Sequence, residues 1–269
     1  MSLLGMAVPP HPRRFGRVNW IGLWTLYRRD VWRVLKDYRE SMLGVGATAL
    51  LYLIAFRIAG GDVAVPGGVG FAAFLVPGLA MTAMCQQAFS TSAVSLIFDK
   101  MEGMIADPLM APLSPAERSL AYAASSTTGG LVAGAAALAV LAVFVPLPLA
   151  RPEAALFFAV AGCLLHGLLG LLAGIVSVRW DHFAAWLGFV VIPVSFLSGA
   201  FYPLANLPEA GRLLVAWNPV FHAIDGFRFG FTGVSEGRPW LGAVVLLALD
   251  AALFLVVLRL FARGTRLKP

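Results

Sequence analysis

The chain has 269 residues, of which 59% are hydrophobic and 13% are charged, and its net charge is +6. Soluble domains carry about 25% charged residues, so this chain has roughly half the charge that a soluble surface of its size needs. The composition therefore disfavours a soluble enzyme, and the high hydrophobicity excludes a disordered chain. Two cysteines are too few for a disulfide scaffold.

Residues 17–39 predict an amphipathic helix that lies in the membrane interface. At 100° per residue, one face holds the apolar and aromatic residues Ile21, Trp24, Tyr27, Val31, Leu35 and Tyr38. The opposite arc holds the polar residues Thr25, Arg29, Asp30, Arg33, Lys36 and Asp37. This pattern is typical of helices at the level of the lipid headgroups. The helix is expected to be either a simple anchor on anionic lipid or an anchor that also touches a cytoplasmic partner.

Six later stretches are apolar and long enough to cross a bilayer, which needs about 20 residues of helix. They are residues 41–60, 71–98, 120–145, 154–178, 183–202 and 240–261. Helix is expected because lipid offers no partner to an unpaired backbone group. We therefore predict an all-α membrane protein with six transmembrane helices, forming a single transmembrane domain over residues 1–269.

Lysine and arginine residues are unevenly distributed over the two sides that six spans define. Fifteen of them lie on the side that holds both termini and five lie on the other side. Cytoplasmic loops are enriched in positive residues. Both termini are therefore predicted to be cytoplasmic.

Two segments between the spans are unusual. Residues 99–119 form a long cytoplasmic loop, in which residues 99–106 predict a short helix before the Asp107-Pro108 break. The loop is either a solvated connector or, because it holds three prolines and several apolar residues, a surface that docks onto another protein. Residues 203–239 are too apolar for a solvated loop and are divided at Asn218-Pro219. We predict that they form an external re-entrant helical hairpin before the last span.

Motifs of enzymatic chemistry are weak in this sequence. The Gly233–Gly237 segment matches G-x-S-x-G, but it lies on a loop between membrane segments rather than between a strand and a helix. The sequence has no phosphate-binding loop of the type G-x-x-x-x-G-K-[ST], and its four histidines are scattered. We therefore predict no catalytic residue and no metal site.

Asp250 lies near the middle of the last predicted span, where an ionisable group is costly and is a functional candidate. Its expected partner by depth is His166, near the middle of the fourth span. The two residues are predicted to form an interhelical hydrogen bond, or else a substrate or proton site.

Several short segments together resemble one family. They are Phe74-Leu75-Val76-Pro77-Gly78-Leu79, the 105–114 segment IADPLMAPLS, the 197–204 segment LSGAFYPL with Leu207-Pro208, Trp217-Asn218-Pro219-Val220, and Ile224-Asp225-Gly226-Phe227-Arg228. Taken together these segments resemble the permease subunit of type-2 ATP-binding-cassette exporters, and the likeness covers most of the chain. That family commonly has a less charged residue than Asp250 in the last span, so Asp250 is expected to mark a subgroup.

The resemblance implies a non-catalytic permease of the bacterial inner (plasma) membrane that works with separate chains. The expected partners are two nucleotide-binding ATPase subunits, a second permease copy as a homodimer, and membrane lipids, with no nucleic acid. ATP and Mg would be bound by the ATPase subunits, so this chain itself is expected to have no cofactor. The substrate exported by this class is amphipathic, lipid-linked or hydrophobic, such as lipid-linked polysaccharides, lipo-oligosaccharides and drugs.

Three groups of site residues are expected from the sequence and the resemblance together. Contacts that couple the chain to the ATPase are expected at Arg29, Arg33, Lys36, Asp99, Lys100, Met101, Glu102, Met104, Ile105 and Asp107. The translocation path or intramembrane polar positions are expected at His166, Asp250, Phe71, Phe74, Phe89, Phe189 and Phe196. An external gate is expected at Tyr202, Pro203, Trp217, Asn218 and Pro219.

Two other classes of protein remain as alternatives. One is an ion-coupled secondary transporter that uses Asp250 and His166, and the other is a membrane scaffold subunit that transports nothing. Transport that depends on ATP and a partner subunit would separate the exporter from both alternatives.

Overall fold

The computed structural model describes residues 16–37, 39–60 and 65–264, and every regular element within these ranges is helical. The predicted helical class is therefore confirmed. The α-helices in chain order are α1 Trp20–Lys36, α2 Val45–Gly60, α3 Phe71–Met101, α4 Ala106–Met110, α5 Pro115–Ala142, α6 Pro152–Val176, α7 Trp180–Trp186, α8 Ile192–Phe196, α9 Glu209–Trp217, α10 Pro219–Thr232 and α11 Pro239–Arg263. Two short π-helical stretches, Arg39–Gly44 and Leu187–Val191, lead into α2 and α8. Single turns of 3₁₀-helix occur at Pro66–Gly68 and Leu204–Asn206.

In the described part of the chain, four helices are long and apolar enough to cross a membrane: α3, α5, α6 and α11. The first and fifth predicted spans correspond to shorter apolar helical stretches, Met42–Ile58 and Trp180–Phe196. The fifth stretch ends at Phe196, before the predicted residue 202, because Gly199 has a positive φ of 68° and turns the chain. The lengths thus support four of the six predicted spans.

Helix α3 is the centre of the bundle and packs most extensively against α5 and α6. The packing is close because glycines on both neighbours face the α3 backbone. A Cβ atom added at Gly130 would lie 2.7 Å from the Met84 carbonyl oxygen, and one at Gly170 would collide with the Phe89 carbonyl oxygen. These glycines belong to small-residue motifs that allow helices to approach closely. Pro77 lies inside α3 without ending it.

The bundle has two ends, called the α4 end and the α9 end after a helix at each. The α4 end carries α1, α4 and the last turns of α3 and α6. The α9 end carries α9, α10 and the first turns of α3 and α6, since Arg151 at the start of α6 donates its N–H to the Gly230 carbonyl of α10. The functional candidates lie at these ends and along one side of α3.

The structure corrects the predicted faces of the amphipathic helix. Helix α1 packs on α5 with Leu26, Asp30 and Val34 buried, although Asp30 was expected on the polar arc. The predicted apolar face is only partly covered by the described protein: Trp24 and Ile21 are 59% and 67% exposed, whereas Tyr27 is half-buried and its hydroxyl lies 3.1 Å from Thr128 Oγ1. Residue 38 of that face lies outside the described residues.

The predicted short helix of the cytoplasmic loop is also displaced. It is found at Ala106–Met110 rather than at residues 99–106, because α3 continues to Met101 and Gly103 then turns the chain with a φ of 71°. Pro108 lies in the first turn of α4, where a missing N–H costs nothing.

Candidate functional site

An ion cluster joins α1 to the last turns of α3. The fully buried Asp99 carboxylate accepts hydrogen bonds from Arg29 Nη2 at 2.9 Å and Arg33 Nη2 at 3.3 Å. Asp30 Oδ1 accepts hydrogen bonds from Arg29 Nε at 3.0 Å and Ser95 Oγ at 3.1 Å. These five residues are called the α1 ion cluster. They tie the amphipathic helix to α3 by charge rather than by apolar packing.

The α1 ion cluster combines buried carboxylates with partly exposed cations. Burial raises the pKa of Asp30, and the neighbouring Arg29 and Arg33 oppose that rise. The arginine side chains are 33% and 28% exposed, so water screens them. The cluster is consequently a joint whose cations have access to alternative partners in solvent.

Lys100, next to Asp99, connects α3 to a different neighbour. Its Nζ atom donates hydrogen bonds to the carbonyl oxygens of Gly174, Ile175 and Ser177 at 2.6–2.9 Å. These carbonyls lie at the carboxyl end of α6, where the helix dipole favours a cation. Two consecutive residues of α3 therefore hold α1 on one side and α6 on the other.

The loop between α4 and α5 is fixed to the start of α1. Asn19 donates its backbone N–H to Glu117 Oε1 at 2.6 Å and its side-chain Nδ2 to the Pro112 carbonyl oxygen at 2.9 Å. Glu117 also forms a capping box with Ser114 at the start of α5. Helix α1 and residues 99–118 are thus joined at several points and are called the coupling module.

The coupling module presents an exposed apolar surface around α4. Met101, Met104 and Met110 are 48%, 40% and 77% exposed, and the acidic side chains of Glu102 and Asp107 lie among them. These five residues are called the methionine surface. Methionine is flexible and polarizable, so it suits a surface that adapts to a partner.

The structure divides the ten predicted coupling residues into two sets. The exposed residues are Lys36, Met101, Glu102, Met104 and Asp107. The other five are buried or engaged within the chain: Arg29, Arg33, Asp99, Lys100 and Ile105. The first set is therefore accessible at the surface, and the second set is held by contacts within the chain.

A groove with a volume of 340 Å³ lies between α2, α3 and the 187–201 segment. Its α3 wall carries the polar side chains of Thr82, Gln86, Gln87 and Ser90. A second cavity of 290 Å³ shares Gln87 and Ser90 with the groove and continues to Asp30 and Arg33 of the α1 ion cluster. Polar side chains therefore line one side of α3 from the groove to the α4 end.

Aromatic rings line the other part of the groove. Phe196 and Phe201 stack with centroids 4.7 Å apart, and Tyr52 contacts the Phe201 ring at 5.8 Å. Of the five predicted path phenylalanines, only Phe196 lines this groove. The others lie elsewhere: Phe71 and Phe74 stack on each other, Phe89 is buried against Phe183, and Phe189 is 83% exposed.

Sequence reasoning missed most of the groove lining. A usable signal is the pair Gln86-Gln87 within an otherwise apolar predicted span. Two adjacent amides in such a segment need polar surroundings, because lipid provides none. Tyr52 and Phe201 carried no comparable signal, since aromatic residues also occur at lipid-facing positions.

A buried arginine connects three distant segments at the α9 end. Arg228 of α10 is 2% exposed and donates hydrogen bonds from Nε to the Phe74 carbonyl oxygen at 3.1 Å and from Nη2 to the Gly199 carbonyl oxygen at 3.0 Å. Its guanidinium group lies 3.6 Å from the centroid of the Phe74 ring. Its Nη1 atom pairs with Glu236 Oε2 at 3.6 Å.

Two carboxylates complete this arrangement. Asp225 accepts hydrogen bonds from Ser235 Oγ at 2.5 Å and from the N–H groups of Glu236 and Gly237 at 2.9 and 3.0 Å. Glu236 Oε1 accepts the Leu204 N–H at 2.8 Å, and burial raises the pKa of Glu236 while Arg228 opposes the rise. Asp225, Arg228 and Glu236 are called the Arg228 clasp. In the G-x-S-x-G segment, Ser235 thus serves to hold this clasp.

The clasp gathers three of the segments on which the family resemblance rests. Phe74, Gly199 and Arg228 come from the 74–79, 197–204 and 224–228 segments. The approach is close, because a Cβ atom at Gly78 would lie 2.6 Å from the Ala200 carbonyl oxygen. Segments that are separated by up to 154 residues in sequence therefore form one structural unit.

The predicted gate residues lie near the clasp in different environments. Asn218 Nδ2 donates to the Val194 carbonyl oxygen at 2.8 Å, and Tyr202 donates its hydroxyl to the Phe196 carbonyl oxygen at 3.1 Å. Pro203 is buried, and Pro219 is the first residue of α10. Trp217 is 86% exposed and ends α9.

Asp250 and His166 do not form the predicted hydrogen bond. Both carboxyl oxygens of Asp250 are buried without a hydrogen-bond partner among the described residues. His166 instead uses Nδ1 to contact the Gly162 carbonyl oxygen of its own helix at 2.9 Å. In the ranges that the structure covers, no group of three His, Cys, Asp or Glu side chains is placed to hold a metal ion.

Comparison with known proteins identifies the family. The sequence profile described as ABC-2 type transporter matches residues 22–232. The chain is 27% identical over 250 residues to the inner membrane transport permease YadH of Escherichia coli K12, covering 93% of this chain and 98% of the relative. It is 31% identical over 222 residues to Nodulation protein J of Rhizobium leguminosarum bv. trifolii, covering 79% and 81%.

The chain therefore belongs to the ABC-2 type transporter family, as its sequence motifs predicted. Together with the apolar helices, this makes it a multi-pass membrane subunit of a transporter.

Proposed function

We propose that the chain is the membrane-spanning subunit of an ATP-driven exporter in the bacterial inner membrane. The observation that carries this proposal is the coupling module, which presents the methionine surface outward and connects it to α1, α3 and α6. A secondary transporter that works alone has no need of such an exposed and braced surface, and dependence of transport on ATP would separate the exporter from a scaffold. The name of the relative YadH supports the inner membrane as the location.

Two separate ATPase subunits would dock onto the methionine surface. They would bind ATP and Mg²⁺, since this sequence has no phosphate-binding loop. Closure of the ATPase pair would move α4, and the adjacent Asp99 and Lys100 contacts would pass that movement to α1 and α6. This is rigid-body coupling through a bistable interface.

The groove is the proposed translocation path. Its polar α3 wall cannot face lipid at low cost, so a second copy of the chain is expected to cover it and form a homodimer. Amide and hydroxyl groups on one wall and aromatic rings on the other fit an amphipathic substrate, either lipid-linked or hydrophobic. The 290 Å³ cavity would extend the path towards the cytoplasm.

The proposed topology places both termini in the cytoplasm. Met42–Ile58 and Trp180–Phe196 would complete six crossings, and α9 with α10 would form the external re-entrant hairpin. The Arg228 clasp would then hold this hairpin against α3 and close the outer mouth of the path.

The docking step can be tested with Met104→Glu. The variant places a charge in the methionine surface, so binding of the ATPase encoded by a neighbouring reading frame should weaken at least tenfold, and ATP-driven transport in vesicles should fall with it. Leu213→Glu is the matched control, because Leu213 is 59% exposed on α9 at the other end of the bundle. Unchanged ATPase binding by the Met104 variant would overturn the assignment of this surface.

Orientation needs a separate measurement. A cysteine introduced at residue 104 should react with a membrane-impermeant maleimide only after the cytoplasmic side is exposed. The native Cys85 and Cys163 are fully buried and should stay silent. Labelling of residue 104 from outside the cell would contradict the topology.

One observation favours the alternative of an ion-coupled secondary transporter. Asp250 is a buried carboxyl group without a hydrogen-bond partner among the described residues, and an ionisable group at this depth is a candidate proton site. The alternative predicts transport driven by a proton gradient alone and lost in Asp250→Asn. The exporter predicts that transport needs ATP and the partner and survives this substitution.

A further inference from the structure

The outward side of α1 carries aromatic and basic side chains at a constant spacing. Every fourth residue from the first turn onward belongs to this row: Trp20, Trp24, Arg28, Trp32 and Lys36. Residues four apart are neighbours on a helix with an offset of about 40°, so the five form an inclined row across the outward half of α1. All five are exposed, and the three tryptophans are 68%, 59% and 49% exposed. We call these residues the Trp–Arg stripe.

The charges of this stripe are not used inside the protein. Arg29 and Arg33, the other arginines in the middle of α1, are bound to Asp99 in the α1 ion cluster. Arg28 and Lys36 form no ion pair with any residue that the structure describes. The stripe thus leaves two unbalanced positive charges among three large aromatic rings.

The position of α1 indicates what covers the stripe. The π-helical stretch Arg39–Gly44 follows α1 in sequence and leads into the apolar helix α2, so α1 stands where the chain meets the membrane. Tryptophan prefers the headgroup level, where its ring is in an apolar layer and its N–H is in a wet one. Ile21 and Leu35, exposed at 67% and 37%, flank the stripe and suit the boundary of the acyl chains.

We propose that the Trp–Arg stripe is a binding site for anionic phospholipid headgroups. Arg28 and Lys36 match the negative charge of the headgroups, and the three indole rings place the helix at the depth where those headgroups lie. A zwitterionic lipid supplies the apolar contacts but not the net charge. The site therefore prefers anionic lipid over neutral lipid of the same chain length.

Lipid on this stripe also acts on the coupling module. The same helix turns that carry Arg28 and Trp32 on their outer side carry Arg29 and Arg33 on the side that binds Asp99 of α3. Anionic lipid fixes α1 at the membrane surface and so fixes the arginines that hold Asp99. This regulatory step rests on the proposed function, whereas lipid binding rests only on the membrane location of the chain.

The experiment compares lipid selectivity of the full chain in phosphatidylcholine vesicles. Electron paramagnetic resonance measures the association of spin-labelled phosphatidylglycerol relative to spin-labelled phosphatidylcholine. Each basic residue near an anionic surface contributes about a fivefold preference. Arg28→Gln should lower the selectivity about fivefold, and Arg28→Gln with Lys36→Gln about 25-fold.

Arg179→Gln is the matched control at the same end of the bundle. Arg179 is 72% exposed but is paired with Asp181 at 3.0 Å, so its loss should leave the selectivity nearly unchanged. Selectivity that stays at the wild-type value in the folded double variant overturns the proposal. Loss of ATPase binding by the double variant with unchanged lipid selectivity would make the stripe a protein-docking surface instead, which also overturns it.

The regulatory step has its own readout. Partner ATPase stimulation by the wild-type chain should be greater in vesicles that contain phosphatidylglycerol, and the double variant should lose this difference. Equal stimulation in both lipids, with selectivity still dependent on Arg28, overturns the regulatory step and leaves the binding site. Absence of any ATP-dependent activity in the wild type would instead count against the proposed function.

Discussion

The α1 ion cluster and the Arg228 clasp both attach α3 to distant parts of the chain through arginine, but they differ in burial. In the cluster, Arg29 and Arg33 share the buried Asp99 while their own side chains are 33% and 28% exposed. In the clasp, Arg228 is 2% exposed and is held by backbone carbonyls, an aromatic ring and Glu236. The first joint is open to water and the second is closed to it.

This difference sets how easily each joint can rearrange. In the cluster, water can replace the carboxylates as partners of the partly exposed arginines, but it cannot reach the buried Asp99 and Asp30. A buried charge that loses its partners cannot be solvated, so breaking such a pair costs several kcal/mol. The α4 end is therefore expected to be the looser joint, in which one arginine can turn to water while the other keeps Asp99 paired, and the α9 end is expected to move as a unit.

The largest expected effect comes from Arg228→Met. The substitution leaves Glu236 buried without its charge partner and two backbone carbonyls without their donor, which should cost about 3–5 kcal/mol of stability. A large drop in the midpoint of thermal unfolding in detergent would show it. Arg228→Lys keeps the charge but not the planar guanidinium group. Its unfolding midpoint should therefore lie between those of Arg228→Met and the wild type. If Arg228→Met unfolded at the wild-type midpoint, the clasp would not be the more costly joint to break.

A smaller effect on stability is expected from Asp99→Asn. The two arginines can turn to water, so the cost should be about 1–2 kcal/mol. Partner ATPase stimulation should nevertheless fall, because α1 is no longer held by charge. Asp181→Asn is the control, as Asp181 is 77% exposed and lies outside the coupling module. If Asp99→Asn unfolded the chain as completely as Arg228→Met, the α1 ion cluster would not be the looser joint.

The smallest expected effect is on how the stability of the Arg228 clasp depends on pH. Burial raises the pKa of Glu236 above its usual value of 4.5, so the folded state holds this proton more tightly than the unfolded state does. Stability from this group is fully present at low pH and decreases as pH rises from about 4.5 through the raised pKa. Glu236→Gln should flatten the pH dependence of the unfolding midpoint over that interval. If the unfolding midpoint depended on pH equally in the wild type and in Glu236→Gln, this prediction would be wrong.

The sequence alone predicted the features that depend on local composition. Runs of apolar residues marked α3, α5, α6 and α11 with bounds that differ from the structure by a few residues. Asn218-Pro219 marked the break between α9 and α10, because proline begins a helix readily but does not continue one. The scattered motifs predicted the family, which the comparisons confirmed.

Only the tertiary structure decided which charges meet. Periodicity placed Asp30 on a solvated arc, yet packing of α1 on α5 buried it, because the hydrophobic pattern of one helix does not show which side its neighbour covers. Arg228 binds the carbonyl of Phe74, which is 154 residues away in sequence, and Asp99 binds Arg29, which is 70 residues away. Such pairs depend on how whole helices cross, and no local spacing encodes that crossing.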